Sequence, residues 1–420
     1  MFFLYQIIIT ITLILSPLII FFRILKKKED KKRYKEKFCF PSKKRISGNL
    51  IWFHGSSVGE LLSILPLVQK LEKNKSINQI LITTSTLSSA QIFEKINFKK
   101  TIHQFFPIDS ILFSYKFLNY WKPTIAIFVE SEIWPSIFRA LNKKSIPLKL
   151  LNARITKKTF NKWRRVKKFS NSVFQNISIA YPQNEETFNY LKKLNVSKIK
   201  KIGNLKFFNN QQSKLTKLDN TFLKNINLKK IWCASSTHPG EEIICADVHI
   251  NLKKKYKNLL TIIIPRHIHR VNKIVNEIKS LDLNIVLHSS KPKKLNNTDI
   301  YLVDTYGETQ KFYHSSDIVF MGKSISGKGG QNPLEPTNLG STVLYGPNVD
   351  NFKDTYKLLN KLKVAYKVNG VKSLTQSIDK LITKPNNKKN YLKIAKMGKK
   401  ILNETKDEIN SLFNNEIKKT

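Results

Sequence analysis

The stretch Leu50-Ile-Trp-Phe-His-Gly-Ser-Ser-Val-Gly-Glu60 begins as a short apolar run and continues, through two glycines, into a helical pattern. A short apolar run followed by a longer helical pattern predicts a strand at Leu50–Phe53 and a helix at Glu60–Glu72. Gly55 and Gly59 allow the backbone to turn tightly off the strand. Because the strand is apolar at every position, it indicates a parallel sheet that is covered on both faces.

The same alternation of short apolar runs and helical segments repeats along the chain. Further helices are predicted at Ser131–Leu141 and Glu185–Leu194. The other predicted strands are Ile80–Thr84, Ile102–Phe106, Thr124–Val129, Leu148–Leu151 and Ile177–Ala180, and then Ile231–Ser235, Leu260–Ile264, Asn284–His288, Ile300–Val303, Asp317–Met321 and Thr342–Tyr345. This alternation predicts an α/β protein with two Rossmann-like domains around a cleft, in which ligands bind at the carboxyl ends of the strands.

The domain boundaries follow from changes in composition along the chain. The first Rossmann-like domain is predicted at 49–210 and the second at 229–383, separated by a polar linker rich in Asn and Lys. The linker is predicted at 211–228. A membrane anchor is predicted at 1–25, a basic juxtamembrane segment at 26–48 and a basic helical tail at 384–420.

The N-terminal segment has the composition of a membrane helix. Residues 1–22 carry no charge. The length of this uncharged segment is close to the roughly 20 residues that a helix needs to cross a bilayer. Eleven Lys or Arg and three acidic residues follow between 26 and 45, so the positive charges come after the apolar run, the reverse of a cleavable signal peptide. The sequence predicts a single-pass anchor with residue 26 onward in the cytoplasm. An interfacial or buried helix stays open as the alternative, since Pro17 interrupts the run.

The net charge of +45 comes from 74 Lys and Arg against 29 Asp and Glu. Only nine of these cations are Arg, the residue that reads base edges with a planar fork, and the Lys are spread along the whole chain with abundant Asn and Ile. We attribute the charge first to codon bias and second to attraction towards anionic phosphate or lipid. No nucleic-acid partner is expected, because no DNA- or RNA-binding motif accompanies the charge.

Two loops of the first half place carboxylates after predicted strands. Glu60 follows the first strand, and Glu130 and Glu132 follow the strand that ends at Val129. A carboxylate at the mouth of a cleft can act as a general base, whereas an acid in a first helical turn also complements the helix dipole, so both interpretations stand. Arg154 and Lys206 follow later strands and could meet an anionic substrate.

The second half carries more specific loops. Ser235–Glu242 ends one strand with hydroxyl groups and amides that are expected to be exposed, and Pro265-Arg266-His267 ends the next strand. The run Gly322–Pro336 could bring backbone amides close to phosphate, with Glu335 accepting ribose hydroxyls. This run matches neither a Walker P-loop nor GxGxxG, which favours a nucleotide-sugar site over an NTPase or dinucleotide site. A glycine-rich turn that only permits tight packing is the alternative.

In order along the chain, these motifs resemble the 3-deoxy-D-manno-octulosonic acid (Kdo) transferases of lipid A biosynthesis, which are inverting glycosyltransferases with the GT-B fold. The resemblance covers nearly the whole chain, including the N-terminal anchor. Its motifs are His54–Glu60, Glu130–Pro135, Asn152–Arg154, Gly203–Phe207, Ser236–Glu242, Pro265–His267, Asp304–Glu308, Gly329–Pro336 and Gly346–Phe352. The sequence departs from the family pattern at Lys323, Gln331 and Ile268-His269, where the family is expected to have Gly, His and an acidic residue.

The resemblance implies a role for each matching residue. The residue matching Glu60 is the catalytic base, and those matching Glu130 and Lys206 assist the transition state. The CMP portion of the donor is expected to contact Pro265, Arg266, Gly307, Glu308, Thr309, Asn332, Pro333, Leu334 and Glu335. The implied partners are CMP-Kdo, a lipid A precursor (lipid IVA) and the anionic surface of the inner membrane, and the resemblance implies no cofactor and no bound metal.

Other functions remain open on the sequence alone. A nucleotide-sugar epimerase of the same fold would have no reason for an N-terminal anchor. Another membrane-associated glycosyltransferase would also have such an anchor. A non-enzymatic membrane scaffold would be expected to lose Glu60 and Glu335, and both residues are present.

A basic segment near residue 160 allows two interpretations. Phe160, Trp163 and Val166 recur at a spacing of three residues among seven Lys and Arg of 157–168. Such a helix could lie on anionic lipid, or its aromatic stripe could face the core of its own domain.

Overall fold

The chain divides into two units, which a computed structural model describes over residues 1–208, 218–383 and 388–419. The first unit comprises Met1–Phe208 and Gly398–Thr420, and the second comprises Asn209–Met397. The C-terminal residues therefore belong to the same unit as the N-terminal half of the chain.

The first unit is built on a six-stranded sheet in which all neighbouring strands are parallel. The strands are β1 (Leu50–His54), β2 (Gln79–Thr84), β3 (Thr101–Phe105), β4 (Ile125–Val129), β5 (Leu148–Ala153) and β6 (Ile177–Pro182). Their order is β3-β2-β1-β4-β5-β6, so the chain winds outward from β1 in one direction and from β4 in the other. Ligands of such sheets bind where the direction reverses, which here is between the carboxyl ends of β1 and β4.

Eight α-helices of residues 1–208 accompany this sheet. They are α1 (Phe2–Leu25), α2 (Val58–Leu71), α3 (Leu87–Glu94), α4 (Ile111–Trp121), α5 (Pro135–Lys143), α6 (Lys157–Arg165), α7 (Lys167–Phe174) and α8 (Glu185–Lys193). The strands β1 and β4 are buried at every position, as expected for a sheet covered on both faces. Trp52 lies at the centre of this core, with its ring 4.8 Å from that of Phe117 and 5.1 Å from that of Phe128.

The second unit contains a seven-stranded parallel sheet of order β13-β12-β11-β7-β8-β10-β9. Its strands are β7 (Lys230–Thr237), β8 (Leu259–Pro265), β9 (Ile285–Leu287), β10 (Ile300–Leu302), β11 (Ile318–Met321), β12 (Thr342–Tyr345) and β13 (Ala365–Lys367). Its helices are α9 (Asn220–Asn227), α10 (Glu241–Lys253), α11 (Val271–Lys279), α12 (Thr309–His314), α13 (Leu334–Asn338), α14 (Lys353–Lys361) and α15 (Val371–Ile382), and α16 (Lys388–Ile417) runs from this unit into the first. The two parallel sheets with their helices confirm the predicted α/β class of Rossmann type.

The helix predicted at Ser131–Leu141 begins later than the sequence pattern suggested. α5 starts at Pro135, whose fixed φ suits a first helical position. The preceding residues form a turn in which Glu130 has the left-handed φ of 58°. This turn, rather than a helical turn, carries both Glu130 and Glu132.

Two further segments differ from the sequence pattern. The linker was predicted at 211–228, and its residues 211–217 lie outside the described residues. Its residues Asn220–Asn227 form the helix α9. Phe222 of α9 is buried, with its ring 4.7 Å from that of Tyr301, so this helix packs on the second sheet. The strand β13 was not predicted, because two of its three residues, Tyr366 and Lys367, are exposed and it is not an apolar run.

The aromatic residues near position 160 pack inside the first unit. Phe160 is buried and stacks on Tyr190 at 4.3 Å, and the ring of Trp163 lies 5.2 Å from that of Phe174. The segment is also not one helix, because Val166 leaves the helical conformation and separates α6 from α7. The stripe therefore faces the core, and only the basic side chains are exposed.

The helix α1 is the one helix of the described residues that is long and apolar enough to cross a membrane. It has 24 residues, and its mean hydropathy reaches 2.5. The predicted N-terminal apolar helix is thus present.

Candidate active site

Glu60 is fixed at the start of α2 by a capping box. The Ser57 backbone N–H donates to Glu60 Oε2 at 2.8 Å, and the Glu60 backbone N–H donates to Ser57 Oγ at 3.4 Å. Any side chain at Gly55 would place its Cβ 3.0 Å from the Cβ of Glu60, so this glycine allows the turn to approach the carboxylate closely. Glu60 is therefore held in one position at the carboxyl end of β1.

The environment of Glu60 makes its carboxylate more basic. Burial raises the pKa of Glu60 to about 7, and the negative charges of Glu132 and Glu130 act in the same direction. The hydrogen bonds from Ser57 oppose the shift only in part. A carboxylate with a pKa near 7 can accept a proton at physiological pH more readily than an ordinary glutamate.

Glu132 has contacts that organise the turn around Glu60, although the sequence named it only as the second acid of its loop. Its Oε2 lies 3.1 Å from His54 Nε2 and accepts hydrogen bonds from Ser56 Oγ at 2.5 Å and Trp134 Nε1 at 2.9 Å. Burial alone would raise the pKa of Glu132, but these partners outweigh burial and hold that pKa below its ordinary value. Glu132 is therefore a stable negative charge beside Glu60. Its place in a two-acid loop was the only signal for it in the sequence.

Glu130 forms an ion pair with Lys206, which lies in the 3-10 turn Leu205–Phe207. Lys206 Nζ lies 2.5 Å from Glu130 Oε1, and the carboxylate is almost fully buried. The backbone also fixes Glu130, because its N–H donates to the Leu151 carbonyl and its own carbonyl accepts from Arg154 N–H. The structure thus brings Glu130 and Lys206 together.

The short turn that carries Lys206 is held at several points. Leu205–Phe207 form one turn of 3-10 helix, capped by Asn204, whose Oδ1 accepts from the Lys206 N–H at 2.9 Å. A Cβ on Gly398 of α16 would lie 2.4 Å from the Phe207 carbonyl oxygen, so only glycine permits this approach. Lys206 therefore projects from a fixed turn.

The second unit contains a buried carboxylate that organises the glycine-rich loop. Glu241, the first residue of α10, is fully buried and accepts backbone N–H groups from Lys323 at 2.7 Å and Ser324 at 3.0 Å. It also accepts N–H groups from residues 325, 326 and 238. The expectation that the whole loop offers amides to phosphate is therefore wrong for residues 323–326, since Glu241 already occupies these donors.

The loop after β7 also differs from the expectation of exposed hydroxyls. Thr237 is buried and donates to Glu242 Oε1 at 2.8 Å, and Arg270 binds both oxygens of the same carboxylate at 2.9 and 3.0 Å. Ser235 is buried as well and lies 2.6 Å from the Tyr313 hydroxyl. These polar groups stabilise the edge of the sheet internally.

The residues expected to contact the donor lie at the carboxyl end of β8 and in the loops and helix starts that follow β10 and β11. Pro265 is the buried last residue of β8, and Arg266 after it is exposed, with its backbone N–H bonded to the Thr237 carbonyl. After β10, Gly307 has a φ of 85° and Glu308 pairs with Lys311 at 2.6 Å. Thr309 begins α12, Leu334 and Glu335 begin α13, and Asn332 and Pro333 directly precede α13.

The loop that precedes α13 is stabilised around two glycines. Gly329 and Gly330 have φ values of 92° and 68°, and a Cβ on Gly329 would lie 2.3 Å from Asn351 Nδ2. The Asn332 Oδ1 accepts from the Leu334 N–H at 3.1 Å, and Glu335 is exposed on the first turn of α13. The glycines here therefore serve both conformation and close packing.

Comparison with known proteins identifies the family. Residues 32–209 match the family model described as 3-Deoxy-D-manno-octulosonic-acid transferase (kdotransferase). A 3-deoxy-D-manno-octulosonic acid transferase of Rickettsia bellii is 34% identical over 406 residues, which cover 94% of this chain and 96% of that protein. The chain belongs to the 3-deoxy-D-manno-octulosonic acid transferase family. The family expected from the sequence motifs is confirmed, and the Kdo transferase described here is a glycosyltransferase.

Solved structures show the fold of this Kdo transferase but not its chemistry. A glycosyltransferase of Rickettsia africae has a TM-score of 0.57 at 13% identity and covers 89% of this chain and 100% of its own. A putative UDP-N-acetylglucosamine 2-epimerase of Listeria monocytogenes has the same TM-score and identity, covering 88% of this chain and 98% of its own. The predicted GT-B fold is confirmed, and its occurrence in both classes means that the fold alone does not separate transferase from epimerase.

Proposed function

We propose that this Kdo transferase moves Kdo from CMP-Kdo to a lipid A precursor, lipid IVA, in the synthesis of the lipopolysaccharide core. The proposed reaction inverts the anomeric centre, and Glu60 is its general base. The observation that supports this role most directly is the position of Glu60: a carboxylate fixed by Ser57, with a pKa raised to about 7, beside Glu132 at the reversal point of the first sheet.

In the proposed step, Glu60 takes the proton from a primary sugar hydroxyl of the acceptor. The hydroxyl oxygen attacks the anomeric carbon of Kdo as the bond from that carbon to the CMP phosphate oxygen breaks. CMP leaves with the electron pair of that bond, and the Glu60 carboxyl keeps the proton. A single displacement of this kind inverts the configuration at the anomeric carbon.

Lys206 is proposed to stabilise negative charge in the transition state. Its ammonium group is fixed by Glu130, and a preorganised cation stabilises developing charge without reorganising during the reaction. Glu130 is assigned to position Lys206 through their ion pair. With these charges supplied by the chain itself, the proposed mechanism requires no step at a bound metal.

The second unit is proposed to bind the CMP portion of the donor. Arg266 would meet the phosphate, and the group Gly307–Thr309 and the group Asn332–Glu335 would contact the remainder of the nucleotide. All three groups follow strands of one parallel sheet, where ligands of such sheets collect. Glu241 supports this assignment, since it holds the loop 323–326 in one conformation.

The acceptor is a lipid, so the enzyme is proposed to act at the cytoplasmic face of the inner membrane. The apolar helix α1 provides the attachment, whether it spans the bilayer once or lies on it, and the basic surface favours anionic lipid over a neutral surface. Nucleic acid is not assigned as a partner.

The decisive experiment is reconstitution of the full chain with CMP-Kdo and lipid IVA, with the products identified by mass spectrometry. We expect the mass of Kdo to be added to the lipid and transfer by Glu60→Gln to fall by about 10²-fold or more, because Gln keeps the size of the side chain but cannot accept the proton. Glu185→Gln, at an exposed glutamate of the same unit, is the matched control and should retain the activity.

Two results would contradict the proposal. Near-normal turnover by Glu60→Gln would assign the base to another group. Unchanged CMP affinity of Glu335→Ala, measured by calorimetry, would move the ribose contact away from α13. Weaker CMP binding with little change in turnover at saturation is expected instead, since a ribose contact exists in the ground and transition states alike.

A further inference from the structure

The helix α1 has two faces along its whole length. Twelve large apolar side chains between Phe3 and Leu25 are 40–78% exposed. The opposite stripe is partly or fully shielded, at positions that recur every three or four residues: Phe2, Tyr5, Ile9, Leu13, Ser16 and Ile20. Such spacing is that of one helix face, so α1 is shielded along one side from its first turn to its last.

The first turns of α1 bind the folded part of the first unit. The Tyr5 hydroxyl donates to Asp109 Oδ2 at 2.6 Å, and Gln6 Nε2 donates to Ser136 Oγ at 2.8 Å. The ring of Phe2 lies 6.4 Å from that of Phe169 of α7, with the Arg139 guanidinium 4.6 Å from its centroid. The beginning of α1 is therefore docked by polar and aromatic contacts.

The end of α1 is also bound to the same unit. Arg23 Nε donates to Glu29 Oε2 at 3.0 Å, and Lys37 Nζ donates to the same oxygen at 2.7 Å. Lys37 belongs to a 3-10 turn, Arg33–Phe38, in which Glu36 accepts the backbone N–H of Phe105 on β3. Both ends of α1 therefore connect to one folded unit.

These contacts distinguish the two arrangements that the sequence left open. A helix of 24 residues is about 36 Å long, and the hydrocarbon core of a bilayer is about 30 Å thick. A spanning helix would carry Phe2, Tyr5 and Gln6 to the opposite side of the membrane from Asp109 and would break all of their contacts. A helix that lies along the unit keeps them.

We propose that α1 lies in the plane of the membrane surface, docked on the first unit, with its apolar face in the lipid. This inference deepens the proposed attachment to the membrane and depends on it. Exposed cations lie near both ends of α1, with Lys26–Lys28 after its last turn and Lys167 and Lys168 in α7, whose Phe169 contacts Phe2. A row of apolar side chains between exposed cations fits the surface of an anionic bilayer.

The docking also connects the membrane to the proposed active site. Asp109, which accepts the Tyr5 hydroxyl, also accepts the backbone N–H groups of Ser136 and Ile137 at 3.0 and 2.9 Å and so caps α5. The turn directly before α5 carries Glu130 and Glu132. The lipid surface along α1 is therefore joined to the edge at which Glu60 stands, which suits an acceptor whose acyl chains stay in the membrane.

Protease accessibility from the two sides of the membrane tests the arrangement. A short neutral tag with one protease site is placed before Met1 in one version of the full chain and after residue 420 in a second version, which is the matched control. We expect protease to cleave both tags in inverted inner-membrane vesicles and neither in intact spheroplasts. Cleavage of the N-terminal tag in intact spheroplasts, with the C-terminal tag protected there, would overturn the proposal and show that α1 spans the membrane.

The same membranes separate this inference from the proposed reaction. Recovery of the protein in the soluble fraction would overturn the attachment, whereas transfer to lipid IVA is measured independently in detergent. A second test uses Tyr5→Phe in lipid nanodiscs, which removes only the hydroxyl bonded to Asp109. We expect Tm to fall by about 2–4 °C, with no change for Tyr120→Phe, whose hydroxyl makes an exposed contact of 3.2 Å. An unchanged Tm for Tyr5→Phe would overturn the docked arrangement.

Discussion

The side-chain oxygen of Asn152 accepts the backbone N–H of Leu205 at 3.1 Å, although 52 residues lie between them in the chain. Asn152 is fully buried near the end of β5 and adopts the left-handed φ of 51°, which Asn tolerates better than most residues. This bond joins the central sheet to the turn that carries Lys206. The position of the proposed catalytic cation thus depends on a residue that itself carries no charge.

Asn152→Ala is expected to lower kcat of the transferase by about tenfold, because the Lys206 turn loses a buried hydrogen bond. Asn152→Gly removes the same bond but accepts the left-handed backbone, so its Tm should fall less than that of Asn152→Ala. Steady-state kinetics and thermal unfolding measure the two effects. Full activity of both variants would show that the turn holds Lys206 without Asn152.

The rate of transfer is expected to depend on pH through the protonation of Glu60. A general base must be ionised, and burial together with Glu132 raises the pKa of Glu60 to about 7. The value of kcat/KM should therefore rise about tenfold per pH unit below pH 7 and level off above it. An acidic limb near pH 4.5, the ordinary glutamate value, would contradict the role assigned to this environment.

Glu132→Gln is expected to move that acidic limb to lower pH. The substitution removes a negative charge beside Glu60, so ionisation of Glu60 becomes easier, while the Gln oxygen can still accept from Ser56 or Trp134. The pH profile of kcat/KM provides the measurement, with Glu185→Gln as the control. A lower rate with an unmoved limb would show that Glu132 acts only through the conformation of the His54–Ser57 turn.

Glu241→Gln is expected to destabilise the second unit by about 2–4 kcal/mol. The variant replaces a buried carboxylate that accepts five backbone N–H groups with an amide whose NH2 group faces some of the same donors. Chemical denaturation measures the loss, and CMP affinity should fall with it because the loop 323–326 loses its fixed conformation. Glu277→Gln on α11 is the matched control. Equal stability of both variants would mean that the loop is held by its contacts with residues 346–351 instead.

The sequence predicted every strand of both sheets except β13, and most of the loops in which the site residues lie. It could do so because buried parallel strands are apolar throughout and because their carboxyl ends meet at one edge. Glu60 and Glu130 were found in this way, since each follows a strand. The ion pair between Glu130 and Lys206 was not predicted, because α8 lies between β6 and the 3-10 turn that carries Lys206.

The remaining features depend on contacts that no local pattern records. The backbone N–H groups of residues 323–326 donate to Glu241, which lies 82 residues before Lys323 in the chain. The loop sequence alone therefore suggested that these N–H groups could bind phosphate, although they are already bonded. Residues 131–134 were expected to be helical, and their residue types allow a helix. In the structure they follow the left-handed backbone of Glu130 and form a turn instead. The loop pattern alone did not separate Glu132 from Glu130, and only the contacts of Glu132 with His54, Ser56 and Trp134 show its place in the turn.

The capping box of Glu60 has a stereochemical consequence for the base proposed here. Oε2 accepts the Ser57 N–H, so the incoming proton is expected on Oε1, and the acceptor hydroxyl must approach the carboxylate from that side. Protonation also neutralises the group that accepts the Ser57 N–H, which weakens this bond once each turnover. In the proposed reaction, the first turn of α2 is therefore expected to be loosest just after the bond to Kdo forms and to tighten again when the proton is released to water.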